Sequence, residues 1–380
     1  MANDMLKNIF KEKKLSYTFQ SICVNRRMCV IIFLLKCVWE GFLSKARMFL
    51  EIKTYDEKLQ VSDLNETDPI SQNFKMNFNI WWLMFFSLTI LFINVNFVNG
   101  YLPVVFIPGI DNQTSDIQKV CDEVEKLHPG TTTILVYLGG YSFSMSAMWK
   151  QIDIYRAKMD EIFKKYPDGV HILAHSQGTL IARAIIQTTP NHSVKNFLSV
   201  AGPFMGQYGI PKVVERFLET KGIFNVTRKD LYRLAYISLV QDTVSVAGYW
   251  NDPTKQKLFL KKSKFLPKIN NLVDHPDYTE YKKNFLRLNN MILIGGDKEE
   301  VIIPWQTTLA GFYDKDLNIV PMEEQYGWLY VLNLSSHLQI YINDTFGLRT
   351  LDERGGLILV NISGVHHNDY FINMSYTEKI

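Results

Sequence analysis

Two periodicities alternate along the chain from residue 101 onward. The run "LPVVFIPG" at residues 102–109 is apolar, β-branched and ended by Pro-Gly, which reads as a strand buried on both faces. Behind it, "SDIQKVCDEVEKLHPG" sets Ile117, Val120, Val124 and Leu127 on one face of a helix that a second Pro-Gly stops. The alternation recurs. "TTTILVYL" predicts a strand, and "SAMWKQIDIYRAKMDEIFKKYP" a long helix that turns Ile152, Tyr155, Met159, Ile162 and Phe163 inward. "VHILA" predicts another strand, followed by the helix "TLIARAIIQ". "KNFLSVAGP", "NMILIGG" and "GLILVNISG" are further apolar runs with glycine at their ends. Buried strands alternating with amphipathic helices predict an α/β fold, a mainly parallel sheet with helices on both faces.

One interval breaks this rhythm. Residues 204–290 are too many for an ordinary crossover, and they mix aromatic and aliphatic residues with lysine, as in "FLKKSKFLPKINNL". Such an excursion predicts a helical cap inserted before the strand "NMILIGG" and lying over the strand ends. An apolar lining there suits a lipid chain.

The corner between "VHILA" and "TLIARAIIQ" carries the sharpest chemical signal. Ala174, His175, Ser176, Gln177 and Gly178 form a small-x-Ser-x-Gly pattern, with alanine at the position usually held by the first glycine. A strand-to-helix turn this tight needs small flanking residues, because larger side chains clash with neighbouring backbone. The turn lifts the Ser176 hydroxyl into the cleft at the carboxyl ends of the strands, where ligands of open α/β sheets bind. It also leaves the Gln177 N–H at a helix N-terminus, aimed where an oxyanion would form. The bland alternative is a helix-capping serine after a buried strand.

A nucleophilic serine needs a base and an orienting acid, in the chain order serine, acid, histidine for this fold. "DKEEVIIPW", just past "MILIGG", supplies Asp297, Glu299 and Glu300, and "VHH", just past "GLILVNISG", supplies His366 and His367. A second oxyanion N–H is expected in the loop after the first strand, "IPGID", from Ile110, with Gly109 permitting close approach.

Composition narrows the remaining possibilities. At 380 residues, 47% hydrophobic and 21% charged, the chain has globular composition, and its net charge of +3 is spread without basic runs, which argues against a nucleic-acid partner. Cys23, Cys29, Cys37 and Cys121 show neither paired spacing nor a neighbouring histidine cluster, so no metal site is expected. With residues before about 100 removed, Cys121 has no intramolecular partner, and the core rather than disulfides must hold the domain.

Residues 80–98, "IWWLMFFSLTILFINVNFV", are long and apolar enough to span a bilayer, and Met76, Lys75 and the small or polar "VNG" around them fit a cleaved signal as well as a retained anchor. Either form directs the chain beyond it to the secretory lumen, and cleavage leaves no stable membrane span in the mature chain. Asn-x-Ser/Thr triplets at Asn112, Asn191, Asn225, Asn333, Asn343, Asn361 and Asn373 agree with that route and predict N-glycans, although Asn361 sits in a strand-like run where a glycan fits poorly. The organisation expected is therefore an extension over residues 1–75, read as a gene-model artefact with translation starting at Met76, a signal peptide or anchor over 76–100, and a catalytic domain over 101–380 with its cap at about 204–290.

The phrases "HSQG", "GPFMGQYG", "YWNDP", "DHPDYTEYKKNFLRL", "MILIGGDKEEVIIPWQ", "GFYD" and "DTFGLRTL" together resemble the palmitoyl-protein thioesterase family, most closely its second, lysosomal branch, from about residue 101 to nearly the end. The resemblance implies an α/β-hydrolase that removes long-chain fatty acyl groups from thioesters, S-acyl cysteine or acyl-CoA, in the lysosomal lumen, with secretion as the other destination. It needs no cofactor. It carries Ser176 over as nucleophile, Ile110 and Gln177 as oxyanion donors, and Glu299 onto the family's aspartate position, with Asp297 as the alternate acid. The family histidine falls on His367 by the second branch and on His366 by the spacing of the first. The chain departs from its relatives at Pro108, where they have histidine, at Glu299, one methylene longer than aspartate, and at residues 326–338, "YGWLYVLNLSSHL". That last segment reads as an extended surface loop or a translated intron. Rival readings are a carboxylesterase or lipase acting on oxygen esters, and a hydrolase-fold binding protein without turnover.

Overall fold

Apolar runs without polar alternation have to be covered on both sides, and the chain achieves this by stacking them side by side. In the computed structural model the described residues are 101–110, 114–211, 227–322, 324 and 339–372. The expected extension, the signal segment and the insertion at 326–338 lie outside them. Eight strands occur among these residues: β1 (Val104–Ile107), β2 (Thr133–Leu135), β3 (Val170–His175), β4 (Val194–Val200), β5 (Asn290–Gly296), β6 (Phe312–Tyr313), β7 (Ile319–Val320) and β8 (Leu357–Ile362). Six of them form one sheet in the order β2-β1-β3-β4-β5-β8, every neighbouring pair parallel. β6 and β7 make a separate antiparallel pair.

Period-two alternation divides each strand between two cores. Val105, Ile107, Ile172 and Ala174 face one layer, built with α2 (Met148–Lys165), α3 (Gln177–Thr188) and the cap. Phe106, Leu173, Val200 and Ile294 face the other, closed by Ile117 and Val120 of α1 (Thr114–Leu127) and by Tyr370 and Phe371 near the end of the described chain. Helices thus cover both faces, as expected. The expected inward face of α1 is shorter than its periodicity, however: Ile117 and Val120 are buried, but Leu127 is 48% exposed because the last turn is open to solvent. In α2, Ile152, Tyr155, Met159 and Ile162 are buried, and Phe163 is half-buried against the same core.

The interval after β4 is a chain of one- and two-turn helices, Tyr232–Ala235, Ser238–Gln241, Ser245–Tyr249, Gln256–Lys262 and Leu266–Ile269. Phe259, Phe265, Leu266 and Ile269 are buried to within 1% of their surface, each contributing about 2 kcal/mol by removal from water. The cap is shorter at its C-terminal side than the expected boundary at 290. The helix α4 (Tyr278–Phe285) is the crossover to β5 and packs on α3, where Asn284 Nδ2 donates to the Gln187 carbonyl at 2.9 Å.

Arg183 of α3 fastens the cap to the sheet layer. It is wholly buried and bonds to neutral acceptors: Nη1 donates to the Phe204 carbonyl at 3.2 Å and Nη2 to Asn270 Oδ1. Its guanidinium lies 4.4 Å from the Phe204 ring centre and 4.9 Å from that of Phe346, so two aromatic faces compensate the charge. Burial pushes its pKa down to about 9.

Candidate active site

β3 ends at His175, and the chain reverses at Ser176 with φ 53° and ψ −129° before α3 begins at Gln177. A non-glycine residue held there stores on the order of 1–3 kcal/mol of backbone strain, which neighbouring contacts must offset. They do so from both sides. Ser176 N donates to the Val200 carbonyl of β4 at 2.9 Å, and the Ser176 carbonyl accepts from Thr179 N at 3.1 Å and Thr179 Oγ1 at 2.8 Å. Small residues are required on geometric grounds: a Cβ on Gly178 would lie 2.4 Å from the carbonyl oxygens of Ile107 and Pro108. A Cβ on Gly109 would lie 2.7 Å from Ser176 Cβ. The glycine therefore brings the backbone at Gly109 and Ile110 against the serine.

Three side chains from three strand ends meet at this corner. Ser176 Oγ lies 3.0 Å from His367 Nε2, and His367 Nδ1 lies 2.8 Å from Glu299 Oε2. A carboxylate can only accept, so Nδ1 carries the proton and donates it, leaving the Nε2 lone pair for the serine hydroxyl. The Glu299 side chain is fully buried and that of His367 is 7% exposed. The other oxygen of Glu299, Oε1, accepts from Val301 N at 2.8 Å and Ile302 N at 3.0 Å, so the charge is distributed over three donors. This folds the extra methylene of glutamate into the turn after β5.

The alternates are engaged elsewhere. Asp297 accepts from Ser363 Oγ at 2.8 Å and Gly364 N at 2.7 Å, and these bonds hold its carboxyl below the usual carboxylate range. His366 is exposed and pairs with Glu300 Oε2 at 2.9 Å, and that hydrogen bond raises its pKa. The structure thus brings Ser176, Glu299 and His367 together and gives Asp297 and His366 to the surrounding loops. Ile110 follows Gly109 at the end of β1, and Gln177 stands at the N-terminus of α3, the two positions expected to present N–H groups beside Ser176.

Two further residues join the site that their residue types alone did not announce. His175 is fully buried, with its ring 4.8 Å from that of His367 and 4.6 Å from that of Phe371. Its Nε2 lies 3.0 Å from the His367 carbonyl oxygen, and burial first, then the neighbouring imidazole, holds its pKa well below the usual value. A neutral ring can donate that bond, which fixes the backbone at His367. The side chain of Gln177 is the second. Its Nε2 donates to the Ser144 carbonyl at 2.7 Å and Gln151 Oε1 at 3.2 Å, and its Oε1 accepts from Tyr249 Oη at 3.1 Å. Gln177 is thereby clamped between α2 and the cap, so its backbone N–H is fixed in direction. Both residues belong to the stretch "HSQG", which carried the sequence signal without showing what their side chains touch. Among the described residues no group of three or more His, Cys, Asp or Glu is placed to hold a metal ion.

The family model described as palmitoyl protein thioesterase matches residues 103–367, from just before β1 to His367 itself. The lysosomal thioesterase PPT2 homolog of Drosophila melanogaster is 38% identical over 273 residues, covering 70% of this chain and 86% of its own. Lysosomal thioesterase PPT2 of Rattus norvegicus is 34% identical over 274 residues, 72% of this chain and 84% of its own. The Homo sapiens protein of the same name is 33% identical over 279 residues, 73% and 86% of the two chains. With a matched model that runs through all three strand ends meeting at Ser176, the chain belongs to the palmitoyl protein thioesterase family.

Proposed function

We propose that this protein is a lysosomal acyl-thioester hydrolase that removes long-chain fatty acyl groups from S-acyl cysteine or acyl-CoA, with Ser176 as nucleophile, His367 as base and Glu299 as orienting acid. The observation that carries the reading is the hydrogen-bonded series Ser176 Oγ, His367 Nε2, His367 Nδ1, Glu299 Oε2, with 3.0 Å and 2.8 Å links. Relatives named as lysosomal thioesterases supply the substrate class and the compartment.

Ser176 Oγ attacks the thioester carbonyl as His367 Nε2 takes its proton, and the carbonyl π electrons move to oxygen. The N–H groups of Ile110 and Gln177 hold that oxyanion. Glu299 stabilises the imidazolium without itself taking a proton. Collapse of the intermediate breaks the C–S bond, and His367 returns the proton to the departing thiolate. Water, deprotonated by the same nitrogen, then attacks the acyl-serine and releases the fatty acid with Ser176 restored.

The test is hydrolysis of acyl-CoA and acyl-cysteine peptides. Ser176→Ala is expected to lower kcat by about 10³-fold or more, on the order of other triad deletions, while far-UV and near-UV circular dichroism stay those of the parent. Retention of even a tenth of the activity would remove Ser176 from the mechanism. Rapid labelling of the parent, and not the variant, by a fluorophosphonate probe separates an activated serine from a binding protein without turnover. A paired oxygen ester distinguishes a thioesterase from a carboxylesterase. Passage through the secretory lumen also predicts glycans, and the described acceptors Asn191, Asn343 and Asn361 are all exposed. Asn361, expected to be awkward for a glycan, stands on the edge strand β8, where its side chain reaches solvent.

A further inference from the structure

The cap has an outward face that hydrolysis does not use. Large apolar side chains on the surface of a domain are ordinarily scattered singly. Here Leu234, Ile237 and Leu239 stand close together on and between two one-turn helices and are 58%, 44% and 71% exposed. Their immediate neighbours are cationic. The Arg233 guanidinium and the Lys255 ammonium lie 5.8 Å and 5.4 Å from the Tyr232 ring centre, and Lys264 Nζ donates to Ser238 Oγ at 2.9 Å while pairing with Asp242 Oδ2 at 2.5 Å.

The charge extends beyond these three. Across residues 227–269, seven lysines and arginines are exposed against two acids, Asp230 and Asp242. Counting every residue, 227–269 hold nine lysines and arginines against three aspartates, while the chain as a whole carries only +3, so this interval is more basic than the chain around it. The sequence hides the asymmetry because the lysines are interleaved with apolar residues that turn inward, such as Phe259 and Phe265.

Exposed aliphatic side chains ringed by lysine match the boundary of a bilayer, where apolar groups enter the acyl region and ammonium groups meet anionic headgroups. A protein partner is the poorer fit, since protein interfaces centre on tryptophan, tyrosine and arginine anchored in pockets, with leucine under-represented. A cavity of about 470 Å³ opens beside this face. Buried Met148, Gly248 and Phe265 form its apolar floor, and Asp242 and Lys264 of the same face stand at its rim.

We propose that this face of the cap docks the protein on an anionic lipid bilayer, with Leu234, Ile237 and Leu239 entering the membrane surface. Docking is independent of turnover, so it is read with Ser176→Ala protein as well as with the parent. The experiment is co-sedimentation of the purified full chain with phosphatidylcholine vesicles, with and without phosphatidylserine. Anionic vesicles are expected to retain more protein, and added salt to reduce the increment. Lys255→Glu with Lys264→Glu is expected to weaken partition into them by more than about tenfold, since each basic residue near the surface is worth about fivefold. Leu234→Ser with Leu239→Ser is expected to do the same at equal charge. Both double variants hydrolyse a soluble short-chain acyl thioester at the parent rate, which reports an intact fold. Equal retention on neutral and anionic vesicles overturns the proposal, as does unchanged partition of either double variant. Equally tight capture by soluble polyglutamate would reassign the face to an acidic protein.

Discussion

At the scale of single residues, Glu299 divides its two carboxylate oxygens between the backbone and an imidazole. Its Oε1 is drawn back onto Val301 N and Ile302 N, which leaves Oε2 in line with His367 Nδ1. Glu299→Gln keeps the shape but can present an amide N–H to Nδ1, favouring the wrong tautomer, so kcat is expected to fall by about 10³- to 10⁴-fold. Asp297→Asn removes a solvated carboxylate and is expected to change kcat by no more than about twofold; a larger loss there than at Glu299 would transfer the role. His192 makes a different prediction. Its Nε2 lies 2.9 Å from the Asn284 carbonyl oxygen and its Nδ1 accepts from Val194 N at 3.2 Å, an arrangement that only the neutral ring satisfies. Burial lowers its pKa from 6.5 to about 4. The unfolded chain therefore binds a proton as pH falls through 6.5, while the folded chain resists until about 4, and folding stability is lost across that window, by up to about 3 kcal/mol. Thermal unfolding between about pH 7 and 4.5 should show this decline, and His192→Gln should flatten it.

At the scale of elements, the strand–turn–helix of β3 and α3 concentrates what the sequence made legible. Parallel strands buried on both faces must be apolar throughout, so β1, β3, β4, β5 and β8 stand out as continuous runs, and glycine at Gly178 marks the place where α3 touches the end of β1. Gly178→Ala drives a methyl into the carbonyls of Ile107 and Pro108 and is expected to cost about 1–3 kcal/mol, seen as a lower midpoint in urea, together with reduced kcat from a displaced serine. Less visible were elements whose formation depends on distant neighbours. β6 and β7 are two residues each and have no pattern of their own. The end of α1 continues its apolar period through Leu127 after the sheet has ceased to cover it. Order along the chain singled out a candidate serine, two candidate acids and two candidate histidines, but which of Asp297 and Glu299, and of His366 and His367, meets Ser176 depended on where Ser363, Gly364 and Glu300 bind.

At the scale of the whole molecule, Arg183 ties together segments far apart in sequence: α3, the start of the post-β4 interval at Phe204, the end of the cap at Asn270, and Phe346 ahead of β8. Replacing the charge by an apolar residue is not itself costly, but it strands the acceptors it served. Arg183→Leu is expected to destabilise by about 2–4 kcal/mol, and a double change with Asn270→Leu to recover part of that, measured by chemical unfolding; a neutral single variant would show the cation to be dispensable. No helix among the described residues is long and apolar enough to cross a membrane.

Strand order also governs when the site is completed. β8 lies at the rim of the sheet, pairs only with β5 among the sheet strands, and delivers His367 just beyond its end. The serine corner draws on β1, β3 and β4, whereas the histidine facing it arrives with β8, the last strand of the sheet to be synthesised. On the proposed roles, a polypeptide clipped or stalled ahead of residue 367 is expected to hydrolyse no thioester even if most of its architecture is in place, so that turnover would report on an unbroken tail.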